Sequence, residues 1–439
     1  MKTLNIIVFV WLCLVSASSF ANLTKEIEKD YQAYLKELFI HFHQNPELSM
    51  AETKTAARIA KDLKALGFTV HEGIAETGII ATLKNGKGPT VMMRADMDGL
   101  PVKEASGLDY ASQAMQFDPI TKEERPVMHA CGHDVHITSL IGTARYMTTH
   151  KDDWSGTLML VAQPAEERIM GARKMMEENI WETYGKPDYA LALHVSSNFE
   201  TGKINVFAGP TSAGSNSVDI IVHGIGTHGA YPQGGKDPVV LGSQIVLALQ
   251  TLVSRELGPK EPGVVTVGAF NSGFKHNIIS DKAHLKITVR SATIETRDKL
   301  LDGIKRIAEN MGRVAGLPED KLPEVRVSLE EGTLPQINDD ALTARLQKAW
   351  KQQLGASNLM EKPSEGMGAE DFPYFVHEHN IPSVYWSVGG TPKADFEKAA
   401  NGGPAVPSHH SPLFKIEPDG SVPFAVETTV TALLDLLQE

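Results

Sequence analysis

Cysteine is almost missing from this chain: 439 residues hold two, Cys13 and Cys131. Cys13 falls inside a leader-like N-terminus, so a trimmed chain keeps one thiol and can form no intrachain disulfide. A single cysteine kept in an oxidising compartment is either buried and inert or bound to something. Positive charge is also short. Lys and Arg number 42 against 54 Asp and Glu, a net −12, which argues against nucleic acid or an anionic membrane as partner. Long apolar runs are scarce as well. The stretch from Leu4 to Val15 is too short for a bilayer span, and no other segment reads as long and apolar enough to cross one. Internal repeats and low-complexity tracts are lacking.

What is present begins with that leader. Lys2, the apolar stretch, and Ser19-Phe20-Ala21 as a small-x-small cleavage site predict a signal peptide over 1–21, cut before Asn22. A permanent anchor is the alternative, and Cys13 lacks the small residues of a lipoprotein signal. The expectation is a soluble, exported protein, periplasmic or secreted. The remaining length exceeds what one core supports, so two domains are expected, and 42% apolar residues suffice to build them.

Residues 23–66 read as helix, with Leu35, Leu38, Phe39 and Phe42 at helical spacing. Strands are expected at 78–83, 90–93, 157–162 and 189–194, and helices from His136 and over 171–178. Strands alternating with helices predict a mostly parallel sheet in a three-layer α/β catalytic domain. Ligands of such sheets collect at the carboxyl ends of the strands, where Asp98, Glu166, Glu167 and His194 fall. The middle changes character. Strands at 217–222, 264–269, 284–289 and 324–329, with helices at 238–255 and 296–314, give the order of a ferredoxin-like α+β domain. The domains are therefore read as 22–211, an inserted 212–331, and 332–439.

The residues able to do chemistry are each ambiguous alone. Cys131 and His133 offer a thiolate and an imidazole, good ligands for zinc-like ions, yet a buried cysteine beside a structural histidine would look the same. Glu166-Glu167 follows a strand directly. One carboxylate can hold a metal while the other serves as general base; a solvated acidic turn is the plainer reading. His194 ends an apolar strand and suits a core histidine equally. His410 in a late loop, His228 among small turn residues, Asn277 and Arg290 are all commonplace singly. The run Gly366–Phe372 reads as a glycine-rich loop opening a helix.

Their order along the chain resembles the M20 metallopeptidase family, most closely its amidohydrolase branch of N-acyl-amino-acid, hippurate and auxin-conjugate hydrolases. The matching runs are HQNPELSMAE (43–52), RADMDGLP (94–101), HACGHDVH (129–136), QPAEE (163–167), ALHV (192–195), THGAYP (227–232), HNIIS (276–280), GAEDF (368–372) and HSPLF (410–414). The resemblance implies two divalent ions, Zn or Mn with Co or Ni as alternatives. Cys131 would be their shared ligand, with His133, Glu167, His194 and His410 completing the set. It implies Glu166 as catalytic base, Asp98 as orienting residue, and His228 as oxyanion stabiliser on the inserted lid, often from a partner subunit of a homodimer. Asn277 and Arg290 would hold the substrate's carboxylate or carbonyl oxygen. The implied substrate is a small N-acyl amino acid or peptide. A dipeptidase or aminopeptidase on the same scaffold, a catalytically silent binding protein and a thiol redox protein are the alternatives. Two departures from the family pattern stand out: a lengthened loop over 114–126, and Gly224-Ile225-Gly226-Thr227 before the lid histidine.

Overall fold

Residues 22–363 and 366–438 are described by the computed structural model of the chain; the leader and its cleavage point lie outside them. The described chain divides into two units, one of residues 22–209, 338–363 and 375–438, the other of 210–337 and 366–374.

In the first unit, residues 22–44 form a helix (α1) with a π-helical stretch at Tyr31–Leu35, and Thr53–Ala65 forms α2. The helix read through 23–66 is thus broken. Pro46 disfavours the helical conformation in the residue before it, and Asn45 ends α1 at φ −126°, ψ 50°. Then follow β1 (Thr69–Ile74), β2 (Gly78–Asn85), β3 (Thr90–Asp96), helix α3 (His133–Thr149), β4 (Gly156–Gln163), β5 (Tyr189–Glu200) and β6 (Ile204–Asn205). The eight-stranded sheet runs β1-β2-β4-β3-β5, then Ser383–Thr391, β6 and Leu359–Met360. Its centre, from β4 to Ser383–Thr391, is parallel, while β1 and β2 add antiparallel partners at one side.

Alternation along the central strands decides what meets what. Val91, Met93 and Ala95 of β3 join Leu158, Leu160, Leu191, Leu193 and Trp386 in one core with α1, α2, α3 and helix Pro418–Leu436. The residues between them, Met92, Arg94 and Asp96, point to the other face and are equally buried, as a parallel sheet covered on both sides requires. There Arg94 is neutralised by Asp96 at 2.7 Å and donates to Gln163 at 2.7 Å. Helix α3 starts three residues before the predicted His136. His133 and Asp134 look like loop residues by polarity, yet both are buried, so hydrophobic periodicity carries no sign of this first turn.

The second unit has β7 (Gly214–His223), helix α4 (Pro238–Thr251), β8 (Gly263–Ser272), β9 (Lys282–Ser291), helix α5 (Ile294–Val314) and β10 (Glu324–Thr333). Its antiparallel sheet has the order β8-β9-β7-β10, that of a split βαβ, ferredoxin-like fold. Val218, Ile220, Val222, Leu285 and Ile287 on one face meet Leu241, Ile245, Leu300 and Ile304 of the helices. Asp237 caps α4 by accepting from Val239 and Val240 N–H. The sequence places the junctions after 211 and 331 and gives the rest to the first unit. Instead β10 continues to Thr333, paired with Ser215. Thr333 Oγ1 donates to the Glu370 carbonyl at 2.8 Å and Tyr374 Oη to the Gly332 carbonyl at 2.6 Å, which holds 366–374 to this unit. One further correction concerns Pro238–Glu256. This helix is long and apolar enough to cross a membrane by length and composition; here it packs one face on its sheet.

Candidate metal centre

Four segments of the first unit bring the predicted ligands together. Cys131 precedes α3, where Gly132 takes φ +86° and a side chain would lie 2.3 Å from Val195 Cγ1, so only glycine fits. His133 is the first residue of α3. Glu166 and Glu167 open the turn that follows β4, His194 lies in β5, and His410 is pinned by its N–H to the Ala130 carbonyl at 2.8 Å.

Their donor atoms form two triads that share one sulfur. Cys131, His133 and His194 make one, and Cys131, Glu167 and His410 the other, each with its atoms within 4.8 Å of one another. Ligands bound at about 2.0–2.3 Å around one tetrahedral ion stand roughly 3.5 Å apart; Cys131 Sγ and His194 Nε2 are 3.4 Å apart, Glu167 Oε2 and His410 Nε2 also 3.4 Å. Glu166 Oε2 lies 3.8 Å from His133 Nε2. A further cluster of Asp96, His133 and His136 does not suit an ion, because both nitrogens of His136 are occupied. Its Nδ1 bonds Asp96 at 2.5 Å and its Nε2 accepts the Val195 N–H at 2.8 Å.

The residues around the triads fix how the ligands point. His133 Nδ1 donates to the Asp98 carbonyl at 2.9 Å and His194 Nδ1 to the Val195 carbonyl at 2.7 Å, which turns each Nε2 toward the triads. The Asp98 carboxylate accepts the N–H groups of Glu166 and Glu167, both at 3.1 Å, and the Ser49 hydroxyl at 2.6 Å. Sequence reasoning found Asp98 but missed Asp96, His136, Glu52 and His409. His409 accepts the Ser197 N–H at 3.2 Å on Nε2, so its Nδ1–H faces Cys131 Sγ at 3.7 Å. The doubled His409-His410 was the one signal available for it.

The donor set fits divalent cations on this geometry. His133 Nε2 and Glu167 Oε1 are buried without a hydrogen-bond partner, a costly state unless something binds them. Burial, then Glu167, Glu166 and Asp96, push the Cys131 thiol well up, so the thiolate needs a cation beside it. Burial raises Glu167 to about 7, against the pull of His133. Burial and the neighbouring His136 and His409 hold His194 well below the usual histidine range, neutral as a ligand must be. Burial and the Asp98 charge push Glu52 up to about 8.

Behind the first turn of α3 lies a second buried network. His43 Nδ1 meets Asp134 at 2.6 Å and Nε2 meets Glu104 at 3.1 Å. Burial opposes its charge, but the two carboxylates win and raise it to about 9. With an unfolded value near 6.5, this imidazolium stabilises the fold fully below about pH 6.5, and the contribution is lost as pH rises through 9. Histidine-selective NMR should therefore show His43, assigned by its loss in His43→Asn, still protonated at pH 7.5. A neutral ring at that pH would overturn the assignment.

The lid candidates divide differently. His228 pairs with Ile278 on a short two-stranded ribbon, and Gly229 N–H donates to the Asn277 carbonyl at 2.8 Å. His228 and Asn277 are therefore neighbours. The ribbon continues the β7–β9 ladder beyond His223 and Lys282, whereas Arg290 lies eight residues along β9 from Lys282, about 26 Å away at 3.3 Å per residue. Asn277 and Arg290 would therefore hold different parts of a substrate rather than one carboxylate together. Asn277 lies beside the ribbon beyond one end of this ladder and Arg290 near its other end, so one carboxylate does not bridge them within a chain. The lengthened loop folds as a hairpin, Met115–Phe117 with Glu124–Pro126, tied to the turn beyond Glu167 by Arg168 on Asp118 at 2.8 Å.

Comparison with known proteins places this arrangement. The family model of Peptidase family M20/M25/M40 matches residues 92–402. The chain belongs to this family. M20 enzymes are metal-dependent hydrolases of amide bonds, and so is this protein. Among its relatives is the hippurate hydrolase of Campylobacter jejuni, 35% identical over 355 residues that cover 81% of this chain and 88% of that protein. Thermostable carboxypeptidase 2 of Saccharolobus solfataricus is 32% identical over 366 residues, 82% of this chain and 87% of its own. A dinuclear metal-binding M20 peptidase from Bacillus subtilis superposes with a TM-score of 0.74 at 24% identity, over 93% of this chain and 99% of that one; at that identity it speaks for the fold.

Proposed function

We propose that this M20 amidohydrolase is exported and cleaves the amide between an acyl group and an amino acid, with Glu166 as its catalytic base. The observation that carries the reading is the pair of triads meeting at Cys131, with the Glu166 carboxylate beside them. The hippurate hydrolase relative favours an acylated amino acid as substrate. Two divalent ions held by Cys131, His133, His194, Glu167 and His410 would polarise the scissile carbonyl and lower the pKa of the attacking water. A sulfur ligand with imidazoles favours Zn, and the carboxylate leaves Mn, Co or Ni open.

Glu166, 3.8 Å from His133 Nε2, would take a proton from the attacking water and pass it to the leaving nitrogen. Asp98 holds its backbone for that task. His228 would stabilise the oxyanion as charge develops. Arg290 is half-buried and, among the described residues, makes no ion pair with an acid; it suits the free carboxylate of the leaving amino acid. Because His228 and Arg290 lie at opposite ends of the lid, the reading includes a homodimer in which the partner supplies the histidine. The solvent side of α4, with Leu247 72% exposed, and the open edge of β8 support that assembly. The leader over 1–21 supports export to the periplasm or beyond.

The carboxypeptidase relative keeps a peptidase reading alive. The mature chain should be assayed on hippurate and N-acetyl amino acids beside unblocked dipeptides. Release from the acylated substrates at least tenfold above the dipeptides is expected. Cleavage of dipeptides alone would replace the proposal with a peptidase. A buried Glu166 carboxylate beside the triads speaks against a silent binder, which has no use for a base.

A further inference from the structure

The turn that carries Glu166 and Glu167 is strained at both ends. Ala165 enters it at φ +50° and Ile169 leaves it at φ +54°, both in the left-handed region that side chains rarely adopt, a β-branched one least of all. Such a conformation persists only where its surroundings impose it. Here three consecutive N–H groups are captured by two acidic side chains from separate segments. Ala165 donates to Glu52 Oε1 at 2.9 Å, while Glu166 and Glu167 donate to Asp98 at 3.1 Å each.

Asp98 already has a role by resemblance; Glu52 has none. It is fully buried, and its second oxygen accepts from Thr77 Oγ1 at 2.7 Å. It occupies the N-cap position of α2, yet its side chain makes no cap bond there. A capping role would direct the carboxylate at the N–H groups of its own helix. This one is directed instead across the fold, to Ala165. Its main chain is anchored, since Ala56 N–H donates to the Glu52 carbonyl at 2.9 Å, so the side chain is a fixed strut.

We infer that Glu52 is a positioning residue for the site. Through the Ala165 N–H it holds the left-handed entry of the turn, and so the directions in which Glu166 and Glu167 leave the backbone. The inference rests on the reading of Glu166 and Glu167 proposed above. If the entry relaxes, Glu167 moves away from the triad with Cys131 and His410, and Glu166 leaves its place beside His133. Both metal retention and turnover then suffer, without any change in a residue that touches metal or substrate.

The test compares Glu52→Gln with Glu52→Met in the mature, metal-loaded protein. The two are close in volume, but only Gln keeps an oxygen for the Ala165 N–H. Zinc affinity is read by chelator competition for each of the two equivalents, and turnover on hippurate with kcat and KM separated. Glu52→Gln should stay within about threefold of wild type in both. Glu52→Met should lose at least tenfold in affinity for one equivalent, the scale seen when a partner of a metal ligand is removed, and at least thirtyfold in kcat with KM within threefold. A residue that merely supports the fold would shift the melting temperature and leave both readouts of the loaded protein alone. Glu52→Met matching wild type in zinc affinity, or Gln and Met failing equally, would overturn the inference. Should Glu52→Met not fold, Glu52→Ala replaces it under the same criteria. If the wild type binds two zinc ions but ignores hippurate, the substrate reading fails while the zinc comparison still decides the role of Glu52.

Discussion

Glu166→Gln is expected to keep its metal and lose turnover by about 10²–10⁴-fold, the usual range for removal of a general base. The substitution is nearly isosteric, and the hydrogen bond from Glu166 N–H to Asp98 involves only the main chain, so the turn stays in place. What disappears is the ability to accept a proton. Glu167 cannot stand in for it. Its carboxylate belongs to the triad with Cys131 and His410, 3.4 Å from His410 Nε2, where a bound ion would occupy it. Elemental analysis and steady-state kinetics on the same preparation check the prediction. A metal-replete variant within tenfold of wild type would remove Glu166 from the chemistry.

Cys131→Ala should have the largest effect on metal binding of any single change. The sulfur is the one atom common to both triads, so its loss damages both at once, whereas His410→Ala removes a ligand from one. Wild type should retain two equivalents after gel filtration, His410→Ala one, and Cys131→Ala fewer than one. Stability follows by linkage. An ion present at a thousand times its dissociation constant stabilises the folded state by about 4 kcal/mol per site. The melting temperature of wild type should therefore rise on adding metal, and that of Cys131→Ala should barely move. Two retained equivalents in Cys131→Ala would show that the thiol is a bystander.

Much of this architecture is legible in one-dimensional pattern because burial writes it there. The alternation of β7 and β9, and the continuous apolar run of the central strands, follow from which faces are covered. The ligands were legible through the order of short motifs rather than through any one of them. The failures share a physical cause. The first turn of α3 is polar and buried, so periodicity misses it. The second unit's hold on 366–374 comes from hydrogen bonds between segments distant in sequence. Asp96, His136, His409 and Glu52 make tautomer-fixing or backbone bonds to segments remote in sequence, which composition does not encode. The family resemblance gives Asn277 and Arg290 one task, and the strand register separates them. A residue type can be read from sequence; its neighbours across a sheet depend on register.

The most direct test of the account is to strip the mature protein of metal and return zinc or manganese stepwise. Hippurate hydrolysis and bound metal are followed in the same samples. The account predicts no turnover in the stripped protein, tight uptake of two equivalents per chain, and full turnover only when both are bound. Hydrolysis that persists in demonstrably metal-free protein, or full activity with one ion per chain, would contradict a two-metal site built on Cys131.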